Sequence, residues 1–327
     1  MPFLVSSIPS PLRLAIASVA IASALVMAAQ RSVGNDLADP ARAIPIAFPK
    51  TGSYLPGRAE DARIARITYR LATIGRDRCP TRESTSGLVL QHLSQFEQAD
   101  RAGILSAIPL DRGPGVIALV PNSPAAHGGI LLGDVLVAIN DTPIPPEPDL
   151  ARPFDSARAH VRGDVIADLL ETAREVTLLR AGKPQTLAIT PVPACPSRVH
   201  LARSTQRNAF ADGRHVFLTT GVLALLRNDD ELAFLVAHEM AHNILGHAAA
   251  MRSGTVAGRK GVRQIESAAD RLAGNLMIDA GYDPVIGAAA LKRLGGTDLG
   301  LTLFAKHEPP ATRIAAMRAL AEHRRAP

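Results

Sequence analysis

Asn228-Asp229-Asp230-Glu231-Leu232-Ala233-Phe234-Leu235-Val236-Ala237-His238-Glu239-Met240-Ala241-His242 is the stretch from which the rest of the chain is best read. Asn228 supplies a helix N-cap, the three acids after it suit a positive helix start, and Leu232, Leu235, Val236 and Met240 continue an apolar stripe at helical spacing. Residues four apart on a helix lie one above the other, so the imidazoles of His238 and His242 can bind one tetrahedral zinc ion. Glu239 then stands beside the metal, where its carboxylate can take a proton from a water acidified by the ion. Five loosely specified letters also recur by chance, and the helical context is what argues against coincidence here.

A catalytic zinc needs a third protein ligand and an open fourth position. One arrangement would put a glycine three residues and a histidine six residues after His242. This chain has Leu245 and Ala248 there, with Gly246 and His247 out of register. His247 therefore reads as a helix-end histidine. The other arrangement takes a glutamate from a following helix, and Gln264-Ile265-Glu266-Ser267-Ala268-Ala269-Asp270-Arg271 offers Glu266, with Asp270 one turn later. Glu266 is the expected third ligand, and Asp270 the acceptor that orients a ligand histidine.

These residues together resemble the M48 family of zinc metallopeptidases, in the gluzincin group that binds zinc through two histidines and a glutamate. His238, Glu239 and His242 match its first motif, and Glu266 with Asp270 matches its Glu-x-x-x-Asp second motif. His307-Glu308-Pro309-Pro310-Ala311-Thr312-Arg313 matches a third, in which a histidine precedes an arginine by six residues. The resemblance implies that Arg313 pairs with Asp270 and that His307 faces the active site, where it could stabilise the tetrahedral oxyanion. The family places proline directly after that histidine, whereas Glu308 comes first here. Asn208, Ala209, Phe210 and Ala211, leading through Asp212-Gly213 into Arg214–Thr220, look like the family's active-site edge strand, which would pair with an extended substrate; a plain structural hairpin is the alternative. His215 reads as a surface histidine.

Upstream, Gly115 to Asn140 resembles a bacterial PDZ domain. Val116–Val120 reads as a buried strand, Ser123–Ala126 as a helix start, Gly133-Asp134 as a turn, and Val135–Ile139 as a second strand. Glu175–Arg180, the turn Ala181-Gly182-Lys183-Pro184 and Gln185–Thr190 close the module as a hairpin. It spans residues 84–192. PDZ domains hold extended peptides, often free C-termini, on a strand whose preceding loop offers backbone amides; Gly87, Leu88 and Val89, after Ser86, are the candidates for that loop. A structural or autoinhibitory role for the module stays open, because fold alone does not establish function.

Leu14–Ala29 is apolar, follows Arg13, and has the length of a signal-peptide core, which places residues 1–30 as an export signal with an uncleaved membrane anchor as the alternative. No cysteine follows it to carry a lipid. Cys79 and Cys195, the only cysteines, bracket the module; in an exported chain they suggest a disulfide that clamps its entry and exit without stapling either core, two free thiols being the alternative. The net charge of +6 is dispersed and aromatic content is 3%, which argues against a nucleic-acid partner and leaves peripheral membrane attraction open. Residues 31–57 read as a linker, Ala59–Ile74 as a helix packing on a neighbouring domain, and Arg252–Gly261 as a basic, glycine-rich loop. No second apolar run long enough to span a bilayer follows residue 30, which excludes the intramembrane zinc proteases.

The expected fold class is α+β: a mainly helical gluzincin-type peptidase domain over 193–327 with a small active-site sheet, a β-rich PDZ domain over 84–192, and residues 31–83 as linker and helix. The expected function is a zinc endopeptidase, one Zn2+ per chain, acting on exported polypeptides in the periplasm or from an inner-membrane tether. The competing expectation is a latent or non-enzymatic peptide-binding quality-control protein that retains its zinc site.

Overall fold

In the computed structural model, residues 58–147, 149–202, 204–294 and 308–325 are described. The export segment 1–30, the linker 31–57 and His307 lie outside the described residues. Among the described residues, no helix is long and apolar enough to cross a membrane.

Helix α1 (Arg58–Ile74) opens the described chain and buries Ile64, Ile67, Leu71 and Ala72 on one face. After it come β1 (Glu83–Thr85) and β2 (Leu88–Gln91), the short α2 (Arg101–Leu105), β3 (Gly115–Leu119), α3 (Pro124–His127), β4 (Val135–Ile139) and β5 (Thr142–Pro143). Next are α4 (Ser156–Glu171), the hairpin β6 (Glu175–Arg180) and β7 (Lys183–Ala188), and β8 (Val192–Ala194). The antiparallel order β2-β3-β4-β6-β7, with β5 on β4, makes a sheet whose apolar face packs Val116, Leu136, Ile139, Val176 and Leu178 against Ile166 of α4. Ser123 caps α3 by accepting from the Ala126 amide, and Asp155 caps α4 by accepting from Arg158. Strand β7 begins at Lys183, so the hairpin turn is only Ala181-Gly182, shorter than expected; both residues have positive φ, +48° and +77°, the geometry whose twist matches two paired strands.

Pairing of β1 with β8 brings the two ends of this module together. Beyond it, β9 (Arg198–Ala202), β10 (Ala209–Ala211) and β11 (His215–Thr219) form a sheet in the order β10-β11-β9, so β10 lies at an edge. The short α5 (Thr220–Leu223) leads to α6 (Asp229–Ile244), α7 (His247–Arg252), α8 (Gly258–Asp279), α9 (Pro284–Ala288), α10 (Leu291–Leu294) and α11 (Pro310–Arg325). Helix α8 starts at Gly258, so only Ser253–Ala257 form the loop that the sequence placed at 252–261. Asn228 caps α6 by accepting from the Glu231 amide at 2.9 Å, and Gly246, at φ +68°, ends it in the left-handed conformation.

One core cluster joins α1, the β9–β11 sheet and the later helices, with Phe234, Leu232, Val236, Leu276 and Met277 near its centre. Cys79 and Cys195 form a disulfide with Cα atoms 5.6 Å apart, and both are members of this cluster. The bond therefore staples the helical core itself, a correction to the expectation that it would clamp the module's ends from outside; the chain reverses beside α1, where the Cys195 amide donates to the Ala72 carbonyl at 3.0 Å. Helix α1 touches α6 on one side and β3 on the other, and so links the two cores. Arg198 of β9 strengthens the link through ion pairs with Asp164, Asp168 and Glu171, all on α4.

Candidate metal centre

Helices α6 and α8 pack side by side, and their contact brings His238, His242 and Glu266 together. His238 Nε2 and His242 Nε2 are 3.2 Å apart; His238 Nε2 is 3.3 Å from Glu266 Oε2, and His242 Nε2 is 3.4 Å from Glu266 Oε1. Three atoms each about 2.0–2.1 Å from a tetrahedral ion must stand about 3.3–3.4 Å from one another. The three donors therefore fit a single small divalent ion without rearrangement. Their chemistry, two imidazoles and one carboxylate, is that of a zinc site with an open position, and other borderline divalent ions suit the same set.

The opposite ring nitrogens decide which tautomer each histidine holds. His238 Nδ1 lies 3.0 Å from Asp270 Oδ1, so its proton sits there and Nε2 keeps its lone pair for the metal. Asp270 also accepts from Arg313 Nε at 2.7 Å and Nη2 at 2.6 Å, a bidentate pair in which both residues are about 5% exposed. Burial raises the Asp270 pKa, but the bonds from Arg313 and His238 outweigh it and hold the carboxyl at about 2. For His238, burial opposes protonation, yet bonds to Asp270 and Glu266 prevail and push its pKa up to about 10. A proton and a cation thus compete for one cluster of lone pairs. Phe234 stacks on His238 with ring centroids 6.1 Å apart, and the Arg313 guanidinium lies over the same phenyl ring.

Two histidines sit differently from expectation. Because Gly246 breaks the helix, His247 opens α7 instead of ending α6, and its Nδ1 lies 3.1 Å from Nδ1 of His242. It is buried against the second ligand and occupies for His242 the place that Asp270 occupies for His238. Spacing alone hid this, since residues five apart share no face of one continuous helix. His215 is buried too, a correction to its reading as a surface residue. Its Nδ1 meets Asp212 at 3.0 Å and its Nε2 meets Asp164 of α4 at 2.8 Å.

Glu239 is 5% exposed, on α6 between the two ligand histidines in sequence. Asn243 follows His242 and fastens the β10–β11 hairpin to this helix: its Nδ2 donates to the His215 carbonyl at 2.9 Å, and its Oδ1 accepts from the Gly213 amide at 2.7 Å. That clamp holds Ala209, Phe210 and Ala211, in edge strand β10, against α6, with Asn208 just before them. In the β-rich module, Gly87 adopts φ +78° ahead of β2, and Leu88 and Val89 begin that strand. The sequence missed Asn243 and His247 because neither belongs to the ligand spacing; proximity to His242 was their only signal.

Residues 186–260 match the family model described as Peptidase family M48, and residues 115–162, N-terminal to it, match that of a PDZ domain. The first match takes in His238, Glu239 and His242 and stops short of Glu266, so the third ligand stands on the geometry. No curated protein matches the chain. The two matches, with the His-His-Glu group between α6 and α8, support a metallopeptidase that carries a peptide-binding domain.

Proposed function

We infer that this metallopeptidase with a peptide-binding domain is a zinc endopeptidase that cuts exported polypeptides. The observation that carries the inference is the triangle of His238 Nε2, His242 Nε2 and Glu266 with edges of 3.2–3.4 Å, flanked in sequence by Glu239. A zinc ion held there would supply Lewis-acid polarisation of the scissile carbonyl and acidify a water molecule.

The chain's own residues do the remaining work. Glu239, as general base, takes the proton of the attacking water and then passes it to the leaving amine. Asp270 and Arg313 fix the orientation of His238, and His247 does so for His242. Among the described residues strand β10 pairs on one side only, with β11, so an extended substrate could pair on the other without being anchored by either terminus, which supports internal cleavage. His307 as oxyanion partner rests on the resemblance of His307–Arg313 to the third motif of the M48 family.

Export is supported by the apolar run Leu14–Ala29 and by the Cys79–Cys195 disulfide, which persists in oxidising compartments such as the periplasm. Whether the run is removed or retained as a tether sets soluble against membrane-anchored operation. Casein digested by the purified protein and mapped by mass spectrometry tests the proposal. Internal cuts that vanish with a chelator and return with added zinc are expected. Removal of terminal residues only, or cleavage indifferent to the chelator, would contradict it, and zinc binding without any cleavage would favour the latent peptide-binding protein.

A further inference from the structure

Asp164 stands on α4, in the β-rich module, yet its carboxylate meets the sheet that lies against the ligand helix α6. We propose that Asp164 is a positioning residue of the peptidase: through His215 it sets where edge strand β10 stands beside the metal ligands, and so how tightly a substrate pairs there. The proposal rests on the peptidase reading of the metal centre and adds to it a residue from the other module.

Two routes join α4 to this sheet. The first is ionic: Asp164 Oδ1 accepts from His215 Nε2 and from Arg198 Nη1, each at 2.8 Å. His215 and Arg198 stand opposite one another in the register of β11 and β9, so a single carboxylate oxygen ties the first residues of two neighbouring strands to α4. The second is aromatic. One helical turn before Asp164, and therefore on the same face, His160 stacks on the His215 ring with centroids 6.0 Å apart and meets Phe217 edge-on at 5.2 Å. Phe217 stacks in turn on Phe210, its cross-strand partner in β10, at 4.8 Å. One face of α4 thus reaches the β10–β11 hairpin at its turn and at the middle of its edge strand.

The hairpin turn lies between that face and the metal ligands. Asp212 Oδ1 accepts from the amides of Arg214 and His215 at 2.8 and 2.7 Å, which closes the turn, and its Oδ2 meets His215 Nδ1. The His215 ring therefore bridges the turn to α4, while its backbone carbonyl accepts from Asn243, the residue after His242. Arg214 also reaches α4, through Asp168, but that pair is exposed and solvent weakens it, whereas His215 is buried. Burial raises the Asp164 pKa, but the bonds from His215 and Arg198 outweigh it and hold the carboxyl below its usual value, so Asp164 keeps its charge for these donors. Backbone pairing with β10 would hold a substrate alike before and during the reaction, so displacing the strand costs affinity before it costs rate.

The test measures KM and kcat of the full chain, loaded with zinc, on a quenched fluorescent peptide taken from a casein cleavage site. Asp164→Ala is expected to raise KM at least fivefold, with kcat within twofold of the wild type and zinc content unchanged, and Asp164→Asn, which keeps one oxygen for the two donors, should fall between. Glu171→Gln takes from Arg198 another carboxylate of α4, one that bonds nothing on the hairpin among the described residues, and should leave both constants within twofold. His215→Phe should raise KM as Asp164→Ala does, and combining the two should add less than a further twofold. An unmoved KM in Asp164→Ala, an equal rise in Glu171→Gln, or effects that multiply in the double variant would overturn the positioning role. Amide exchange across residues 209–217 needs no catalysis: it should quicken at least fivefold in Asp164→Ala and not in Glu171→Gln, and unchanged rates would overturn the hold on the hairpin. A wild type that cleaves no peptide would instead sink the peptidase reading, and the exchange rates would still decide whether Asp164 holds the strand.

Discussion

Asp270→Asn should separate the support of the metal site from the ligands themselves. Asp270 holds His238 Nδ1 at 3.0 Å and both Arg313 donors at 2.6–2.7 Å, and its pKa falls from 3.8 to about 2 on folding. At about 1.4 kcal/mol per pKa unit, that shift corresponds to about 2.5 kcal/mol of stability at neutral pH. Asparagine keeps the shape but removes the carboxylate that forms the bidentate pair with the buried Arg313, and breaking a buried pair from one side raises the expected loss toward about 3–5 kcal/mol. A carboxyl whose pKa is lower folded than unfolded contributes fully above about pH 4, and that contribution is lost as pH falls toward 2. Urea unfolding of both proteins in a chelator should therefore show a large gap at pH 7 that narrows below pH 4. Zinc affinity, measured by competition with a chromophoric chelator, should drop about 10–100-fold, because His238 loses the acceptor that fixes its tautomer. A stability change under about 0.5 kcal/mol together with unaltered zinc affinity would refute the pairing.

His247→Leu should weaken zinc binding by about tenfold or more, and His247→Asn should restore part of it by offering an amide oxygen to His242 Nδ1, both measured in the same competition titration. The His200 pKa is pushed down to about 4, chiefly by burial, with His215 and His160 adding to it. Its neutral form stabilises the fold fully above pH 6.5, and the benefit is lost as pH falls toward 4, since the unfolded chain then binds the extra proton. Chemical denaturation should show His200→Phe flattening about 2 kcal/mol of the stability drop between pH 6.5 and 5; a drop identical to the wild type would place that proton elsewhere.

The helix carrying His238 and His242 was legible because every local signal agreed on it: the Asn228 cap, the acidic first turn and the apolar stripe all fall where α6 begins and runs. Glu266 and Asp270 were legible from their four-residue spacing, which one helix face enforces. The β-rich module was legible from turn and strand signals in order, down to β4 at Val135–Ile139. What stayed hidden depends on contacts between distant segments. His215 is buried because Asp164, from another module, reaches its ring, and no pattern near residue 215 records that. The place of the disulfide within the helical core depends on how α1 packs, which the cysteine positions do not encode. His247 was concealed by a helix break at Gly246 that redirects the chain toward the ligand it supports.

The most direct measurement is zinc content and casein cleavage determined side by side for the wild type and Glu239→Gln. One zinc per chain in both proteins, with cleavage only in the wild type, is the predicted result: the three ligands would then hold the ion and Glu239 would move the proton. Undiminished cleavage by Glu239→Gln, or a wild type that binds no zinc, would contradict the account.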